Sequence, residues 1–403
     1  MRDTIASAGA SEQGPEGRIA PNKEFAGRLL FIDNLRWTII ILVVSMHAAD
    51  TYSPLGNWYF VDRKPLSAGS LLFFAAWQMY LQSFFMGLLF FVAGFFVPSS
   101  FDRKGPIQFL RDRAFRLGLP VVFYMFLLGP ITEYFVAHSW NSTRPTSFTN
   151  EWLKHIRNGQ FLQENGPLWF CLALLIFSLG YTALRCLPLA SSQAASVRYA
   201  RPPGATALIG FAFMMAASTF LVRAAQVPSL FNLPLRDFPQ YILLFGAGIL
   251  AFRGDWLRNW SYRSGLRWII AALSFGFAAW AALLVGGGAL YGKAAAFSGG
   301  WYWQNAAFAL WESLTCVALC YGLLMFFREN CSKQGSFARF LSSNAFSVYV
   351  FHAPILIGVA RLLQGSMRPS IVKFVALTAI AASTSFLLSA AIFRRIPLLQ
   401  RIL

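Results

Sequence analysis

Ten long apolar segments recur along the 403-residue chain and limit what it can fold into. They cover approximately residues 29–49, 70–96, 117–136, 168–187, 205–222, 238–251, 266–285, 306–327, 345–363 and 371–393. Most of them approach the length of about 20 residues that an α-helix needs to cross a bilayer. Charged residues make up only 12% of the chain, about half of the ~25% typical of soluble proteins. We therefore expect an all-α, polytopic membrane bundle of about ten transmembrane helices.

The basic residues between these segments predict the orientation of the helices. With ten crossings and a cytoplasmic N-terminus, 22 Lys and Arg residues fall on the inner side and 11 on the outer side. The short sixth segment, 238–251, must cross for this bias to hold. If it did not cross, the ratio of inner to outer Lys and Arg residues after this segment would reverse from 10:4 to 4:10. We expect both termini in the cytoplasm. The same distribution disfavours nucleic-acid binding despite the net charge of +18.

The chain divides into a short polar tail and one long apolar region. Residues 1–28 are rich in Gly, Ser, Pro and charge and lack a signal-peptide core, which predicts a disordered cytoplasmic tail. Residues 29–403 show no repeat, which predicts a single transmembrane domain. The five cysteines have no metal-ligand spacing, so we expect neither a metal site nor a disulfide.

The first apolar segment contains two ionisable residues on one face. Arg36 and His47 are 11 positions apart, which in an α-helix is a rise of ~16.5 Å and about 20° more than three full turns. Asp33 precedes Arg36 by about one turn. Polar groups at membrane depth need a protein interior or a wet cavity, and they often mark function. The alternative is that Arg36 extends to the cytoplasmic interface and His47 is an interfacial histidine without a reactive role.

The same segment resembles a known family. Residues Phe31 to Arg36 read Phe-Ile-Asp-Asn-Leu-Arg, and His47 follows after ten further residues. This pattern resembles the first-helix signature of the membrane-bound acyltransferase 3 family. The resemblance implies transfer of an acyl group from cytoplasmic acyl-CoA to a hydroxyl of an extracytoplasmic glycan. It also implies a multi-pass protein of the bacterial inner membrane.

Further motifs along the chain support this resemblance. Arg113 and Arg116 resemble the Arg-x-x-Arg motif of the family, and their guanidinium groups suit the phosphates of CoA. A plain positive-inside anchor is the alternative for this pair. Leu168 to Phe170 resembles the Leu-Trp-Phe element of the family. The residues to which we assign a substrate-binding role are Asp33, Trp169, Tyr349 and His352.

Within the family, the chain resembles the glucan biosynthesis protein C branch, which succinylates osmoregulated periplasmic glucans. Ile396 to Leu399 and the pair Glu312-Ser313 are similar to that branch. The chain departs from it at Pro167, where the branch often has histidine, and at Ala93, where many relatives have serine. The acyl group, succinyl or acetyl, the acceptor sugar and the oligomeric state therefore stay open.

Three residues form the predicted catalytic set. His47 can accept the hydroxyl proton as a general base, since the unperturbed pKa of histidine is ~6.5. Glu312 lies in the eighth segment at a similar depth, and we expect it to orient and charge His47. Arg36 is expected to act in catalysis and to bind the long carrier arm of acyl-CoA. An acyl-histidine intermediate is equally compatible with these residues.

A membrane transporter or flippase of a small anion or a lipid-linked sugar is the competing interpretation. Such proteins also place ionisable residues inside a helix bundle, but they typically contain inverted repeats or paired broken helices. Pro354 has no matching break in the other half of the chain. A purely structural scaffold would leave Arg36, His47 and Glu312 unexplained. The expected partners are therefore acyl-CoA, a glycan acceptor and the lipid bilayer.

Overall fold

The computed structural model describes residues 29–56, 58–62, 64–137, 147–187, 202–400 and 402. The predicted tail over residues 1–28 lies outside this part of the chain. Within it the regular elements are helices, and the only β-type pairing is one isolated bridge between Leu230 and Leu233. The all-α class predicted from the sequence is confirmed.

The helices follow one another in this order. The α-helices are α1 (Leu30–Tyr52), α2 (Ala68–Lys104), α3 (Pro106–Arg113), α4 (Leu119–Phe123), α5 (Gly129–Ala137), α6 (Phe148–Arg157), α7 (Trp169–Cys186), α8 (Ala205–Ala224), α9 (Phe238–Arg253), α10 (Trp256–Asn259), α11 (Tyr262–Gly286), α12 (Trp303–Asn330), α13 (Ser336–Leu363), α14 (Ser370–Ala391) and α15 (Pro397–Gln400). Short 3₁₀ helices cover Gln160–Gln163, Gly166–Leu168, Leu235–Asp237, Ala289–Tyr291, Ala294–Phe297 and Phe393–Arg395.

Nine helices in the described residues are long and apolar enough to cross a membrane. One of them is composite, since α3, α4 and α5 form the third crossing together with two π-helical turns. The other eight are α1, α2, α7, α8, α11, α12, α13 and α14. The chain is therefore a multi-pass membrane helix bundle, as predicted.

The sixth predicted crossing is α9, which has 16 residues and is shorter than the nine helices above. Gln240 near its start donates a 2.5 Å hydrogen bond to the Ser83 carbonyl oxygen, and Arg253 at its end lies 2.7 Å from Asp102. Helix α9 thus runs parallel to α2. Sixteen residues rise ~24 Å, so α9 covers most of a bilayer in the direction of α2. This arrangement agrees with the prediction that the segment crosses.

Two glycines let α2 and α9 pack closely. A Cβ on Gly94 would lie 2.1 Å from the carbonyl oxygen of Phe245, and a Cβ on Gly248 would lie 2.1 Å from that of Phe91. Small residues allow this approach of helix backbones in membranes, where packing drives association. The contact helps to place α2 in the centre, where it and α12 are the most buried spanning helices.

Helix α1 is fixed near both of its ends. At its start, the Asn34 side chain donates to the carbonyl oxygens of Cys331 and Lys333, which precede α13. At its end, Asp50 accepts a hydrogen bond from Gln78 of α2. Helices α1 and α13 therefore begin at the same end of the bundle. We call the opposite end, where α1 finishes, the outer end, after the predicted orientation.

Two π-helical turns interrupt the third crossing, over Ala114–Gly118 and Tyr124–Leu128. A π-turn inside a helix often marks a functional site. The first turn contains Arg116 and the second begins with Tyr124. Both side chains take part in the clusters described next.

Candidate active site

His47 lies near the outer end of α1 and is held by a carboxylate one turn further on. Its Nδ1 is 3.2 Å from Oδ2 of Asp50, while Oδ1 of Asp50 accepts a 2.7 Å hydrogen bond from the Gln78 amide. Asp50 is buried, whereas the His47 side chain is 21% exposed. When Nδ1 donates to Asp50, Nε2 keeps its lone pair, and no described residue hydrogen-bonds to that nitrogen. A histidine base oriented by an acid has this geometry.

Two aromatic rings lie nearly parallel to the His47 ring. Trp58 stacks on it with 3.7 Å between the ring centroids, and His352 of α13 lies at 5.4 Å. Nδ1 of His352 donates a 2.8 Å hydrogen bond to the Tyr349 carbonyl oxygen. Nε2 of His352 is then an acceptor, and it is buried without a hydrogen-bond partner in the described part of the chain. The structure thus brings the two predicted site histidines together.

A tyrosine pair connects this ring stack to the start of α7. Tyr59 packs edge-on against Trp58, and the Tyr124 hydroxyl lies 3.4 Å from that of Tyr59. Burial and the neighbouring Tyr124 raise the pKa of Tyr59 far above its usual range, so its hydroxyl stays neutral. Gly166 has a φ of 49° and packs on Tyr124, where a Cβ would lie 2.4 Å from the ring. Glycine adopts this positive φ without strain, and it has no Cβ that would clash with the Tyr124 ring.

Beside Tyr124, Glu133 and Glu164 form a carboxyl pair. Burial and a hydrogen bond with Glu133 raise the pKa of Glu164 to about 8. Glu133 also lies 3.8 Å from Nδ1 of the buried His155. Two carboxyl groups this close do not ionise together readily. Glu164 therefore keeps its proton at neutral pH.

The expectation that Glu312 orients His47 is wrong. Oε2 of Glu312 lies 2.8 Å from Nη1 of Arg223 in α8, and Nη2 of Arg223 contacts Asp237 at 2.6 Å. All three side chains are buried. A buried carboxylate needs a paired cation, and Arg223 supplies it here. From the sequence, Arg223 falls in an outer loop, whereas the structure places it in the last turn of α8.

Arg36, Arg113 and Arg116 gather near the inner end of α1. Arg36 lies 3.4 Å from Asp33, and both Arg36 and Arg116 interact electrostatically with Arg113. The positive charges of Arg36 and Arg116, which are predicted to bind the cofactor together with Arg113, thus act on the Arg113 guanidinium. Arg36 is separated from His47 by ~16.5 Å along the helix. It belongs to the arginine group rather than to the surroundings of the histidine.

The aromatic residues predicted to bind substrate make contacts within the protein. Tyr349 donates its hydroxyl hydrogen to the Pro167 carbonyl oxygen, which joins α13 to the start of α7. Trp169 lies near the rings of Phe90 and Tyr241, at centroid distances of 6.3 and 5.5 Å. Neither contact tests a substrate-binding role, and these roles stay predictions.

A family comparison adds the reaction class to this geometry. The model of a family described as an acyltransferase domain matches residues 29–394. The chain belongs to the acyltransferase 3 family. No curated protein and no solved structure matches it. Together with its apolar helices, this membership makes the protein a multi-pass membrane acyltransferase.

Three residues of this acyltransferase site were not predicted from the sequence, namely Asp50, Gln78 and Trp58. The contact of Asp50 with His47 could have been predicted, because Asp50 follows His47 by three positions on the same helix face. Gln78 lies on α2 and Trp58 in the loop before it, and nothing in the linear order connects them to His47. No group of three or more His, Cys, Asp or Glu side chains suited to a metal ion is found in the described residues.

Proposed function

We propose that the protein is an integral-membrane O-acyltransferase that moves an acyl group, succinyl or acetyl, from cytoplasmic acyl-CoA to a hydroxyl of an extracytoplasmic glycan. His47 is the general base. The observation that carries the proposal is the His47–Asp50 pair, which leaves Nε2 of His47 without a partner among the described residues. Membership of the acyltransferase 3 family supports the reaction class.

Asp50 prepares His47 for proton transfer. It accepts the Nδ1 hydrogen, which fixes the tautomer with the lone pair on Nε2, and its charge stabilises the imidazolium that forms. Gln78 holds Asp50 through its amide, and Trp58 packs on the face of the imidazole. The direction of the Nε2 lone pair is therefore set before the substrate arrives.

The transfer step needs one base and one leaving thiol. Nε2 of His47 takes the proton of the acceptor hydroxyl while the oxygen attacks the carbonyl carbon of the thioester. The C–S bond then breaks, the new ester stays on the glycan, and the CoA sulfur takes the proton from His47. Attack by Nε2 of His47 itself, through an acyl-histidine, uses the same residues.

The arginine group favours a donor that carries phosphates and arrives from the cytoplasm. Guanidinium groups bind phosphate oxygens in a forked geometry. Arg36 is ~16.5 Å from His47 along α1, which suits a long carrier arm with its phosphates at the arginines and its thioester near the histidine. A bacterial inner-membrane location and a periplasmic glucan acceptor rest on the resemblance of Glu312-Ser313 and residues 396–399 to the glucan biosynthesis protein C branch.

Purified protein in nanodiscs tests this proposal. We expect transfer from radiolabelled succinyl-CoA or acetyl-CoA to a β-glucan oligosaccharide without an ion gradient. His47→Ala should fold normally and lose transfer, while Thr38→Ala on the same helix should retain it. Transfer that survives His47→Ala would contradict the role of the histidine. Solute movement without any acyl transfer would favour the transporter instead.

A further inference from the structure

A second polar region at the outer end is not used by the acyl-transfer chemistry. It is a cavity of about 860 Å³, formed where α8 ends, where α12 begins and where the loops 225–237 and 287–302 meet. This volume lies in the range of small-molecule sites, about 300–1,000 Å³. Neither His47 nor any residue of its ring stack lines it.

Three basic residues line the cavity, namely Arg223, Arg236 and Lys293. Lys293 has no ion-pair partner among the described residues. The side chain of Arg236 is 49% exposed, and its Nε lies 3.7 Å from Asp237. Nε of the buried Arg223 has no hydrogen-bond partner in the described part of the chain. The cavity therefore has positive charge and unused donors.

The rest of the lining suits a carbohydrate. The amides of Gln226 and Gln304 and the hydroxyl of Ser298 can both donate and accept hydrogen bonds. Tyr302 and Trp303 are more than half exposed and present amphipathic rings. Loop residues and the ends of two helices form the lining, so the cavity lies at the ends of the spans and not along their lipid-facing sides.

The buried ion network fixes the shape of this cavity. Arg223 joins α8 to Asp237, which neighbours Arg236, and to Glu312 in α12. The two helix ends and the loop that carries Arg236 are thereby held together. The cavity lining is therefore preorganised, so less conformational entropy is lost when a ligand binds.

The loop 225–237 also reaches toward the histidine region. Asn165 donates a 2.7 Å hydrogen bond to the Phe231 carbonyl oxygen, and Asn232 donates a 2.8 Å hydrogen bond to Asn165. Asn165 directly precedes Gly166, which packs on Tyr124. A continuous set of contacts therefore runs from the loop beside the cavity to the tyrosine pair next to the ring stack.

We propose that this cavity is a docking site for an anionic carbohydrate that carries phosphate or carboxylate groups. It would hold one part of the acceptor glycan while the reacting hydroxyl lies at His47. The acceptor role rests on the proposed function, whereas binding at the cavity does not require transfer. Arg236 and Lys293 bind the anionic groups, and the amides and rings bind the sugar.

Oligosaccharide binding to the full-length protein in phosphatidylcholine nanodiscs tests the docking site. Calorimetry at constant ionic strength compares tetragalacturonate, which is anionic, with maltotetraose, which is neutral. We expect tetragalacturonate to bind more tightly, and Arg236→Ala with Lys293→Ala to weaken it by about tenfold or more. The matched control, Arg157→Ala with Arg368→Ala, removes two exposed outer-end cations that do not line the cavity and should bind like the parent.

The outcomes separate docking from catalysis. His47→Ala should bind tetragalacturonate as tightly as the parent. If the parent itself binds the oligosaccharide but transfers no acyl group, the proposed function alone is overturned. Equal affinity for the two oligosaccharides, or an equal loss in the control pair, would overturn the docking site. Binding that disappears when phosphatidylglycerol is added to the nanodiscs would assign the cavity to a lipid headgroup and overturn the carbohydrate.

Discussion

The two polar regions at the outer end, around His47 and around Arg223, use charge in opposite ways. At His47 one carboxylate faces one imidazole, and the ring is partly exposed with Nε2 unpartnered among the described residues. At Arg223 one guanidinium faces two carboxylates, and all three side chains are buried. The first arrangement leaves an atom for proton transfer, whereas the second pairs its charged groups with one another and holds helices together.

This difference shows why a deep carboxylate is not by itself catalytic. Glu312 lies inside a spanning helix, which marks it as a candidate functional residue. Its Oε2 is occupied by Arg223, and separating a buried pair would leave an uncompensated charge. A base needs an accessible lone pair, and His47 provides one. The carboxylate that assists it is Asp50, on the same helix.

Removing the base should produce the largest loss of activity. Under the proposed function, His47→Ala should lower kcat about 10²–10⁴-fold, and Asp50→Asn should lower it by removing the orienting charge. Because the two residues act as one unit, the double variant should be little worse than His47→Ala alone. A double-mutant cycle of kcat checks this. Fully additive losses would mean that Asp50 does not act through His47.

Breaking the ion network should instead destabilise the protein. Arg223→Met leaves the buried Glu312 without its cation and Asp237 with only the 3.7 Å contact to Arg236, which should cost about 3–5 kcal/mol. The melting temperature of the purified protein should fall by roughly ten degrees, whereas that of His47→Ala should change little. Glu312→Gln should show a smaller fall and an unchanged pH profile of kcat. If Glu312→Gln shifts the pH profile of kcat and leaves the melting temperature unchanged, Glu312 acts in catalysis and not in stability.

The sequence was informative about single helices and poor about their neighbours. The length of the apolar segments predicts the crossings, and helical periodicity places Arg36 and His47 on one face of one helix. Depth in the bilayer can also be counted along one helix, which places His47 and Glu312 at similar depth but does not show that they meet. Which helices touch depends on packing between distant segments. Arg223 was therefore missed as the partner of Glu312.

The arginine group at the inner end should affect binding of the donor more than turnover. Arg113→Ala with Arg116→Ala should raise KM for acyl-CoA by about tenfold, because charge-assisted hydrogen bonds to phosphate are lost. The fall in kcat should be smaller than this rise. Arg111→Ala, an exposed arginine on the same helix, is the control. Unchanged affinity for acyl-CoA in the double variant would mean that Arg113 and Arg116 only anchor the helix at the membrane surface.

The smallest effect concerns Glu164, a titratable group at the outer end that differs from both regions because it keeps its proton and is uncharged at neutral pH. Its pKa is raised from 4.5 to about 8, so between these values the folded protein binds a proton that the unfolded chain has released. Stability should therefore fall as pH rises through this window and level off above it.

Glu164→Gln removes this titration and can still hydrogen-bond to Glu133. The melting temperature of the variant should depend less on pH, and near pH 9 it should exceed that of the parent by on the order of a few degrees, since the partial exposure of Glu164 limits the effect. Glu151→Gln, which alters a carboxylate paired with Lys154, should follow the parent. A parent-like slope in Glu164→Gln would assign the pH dependence of stability to other groups.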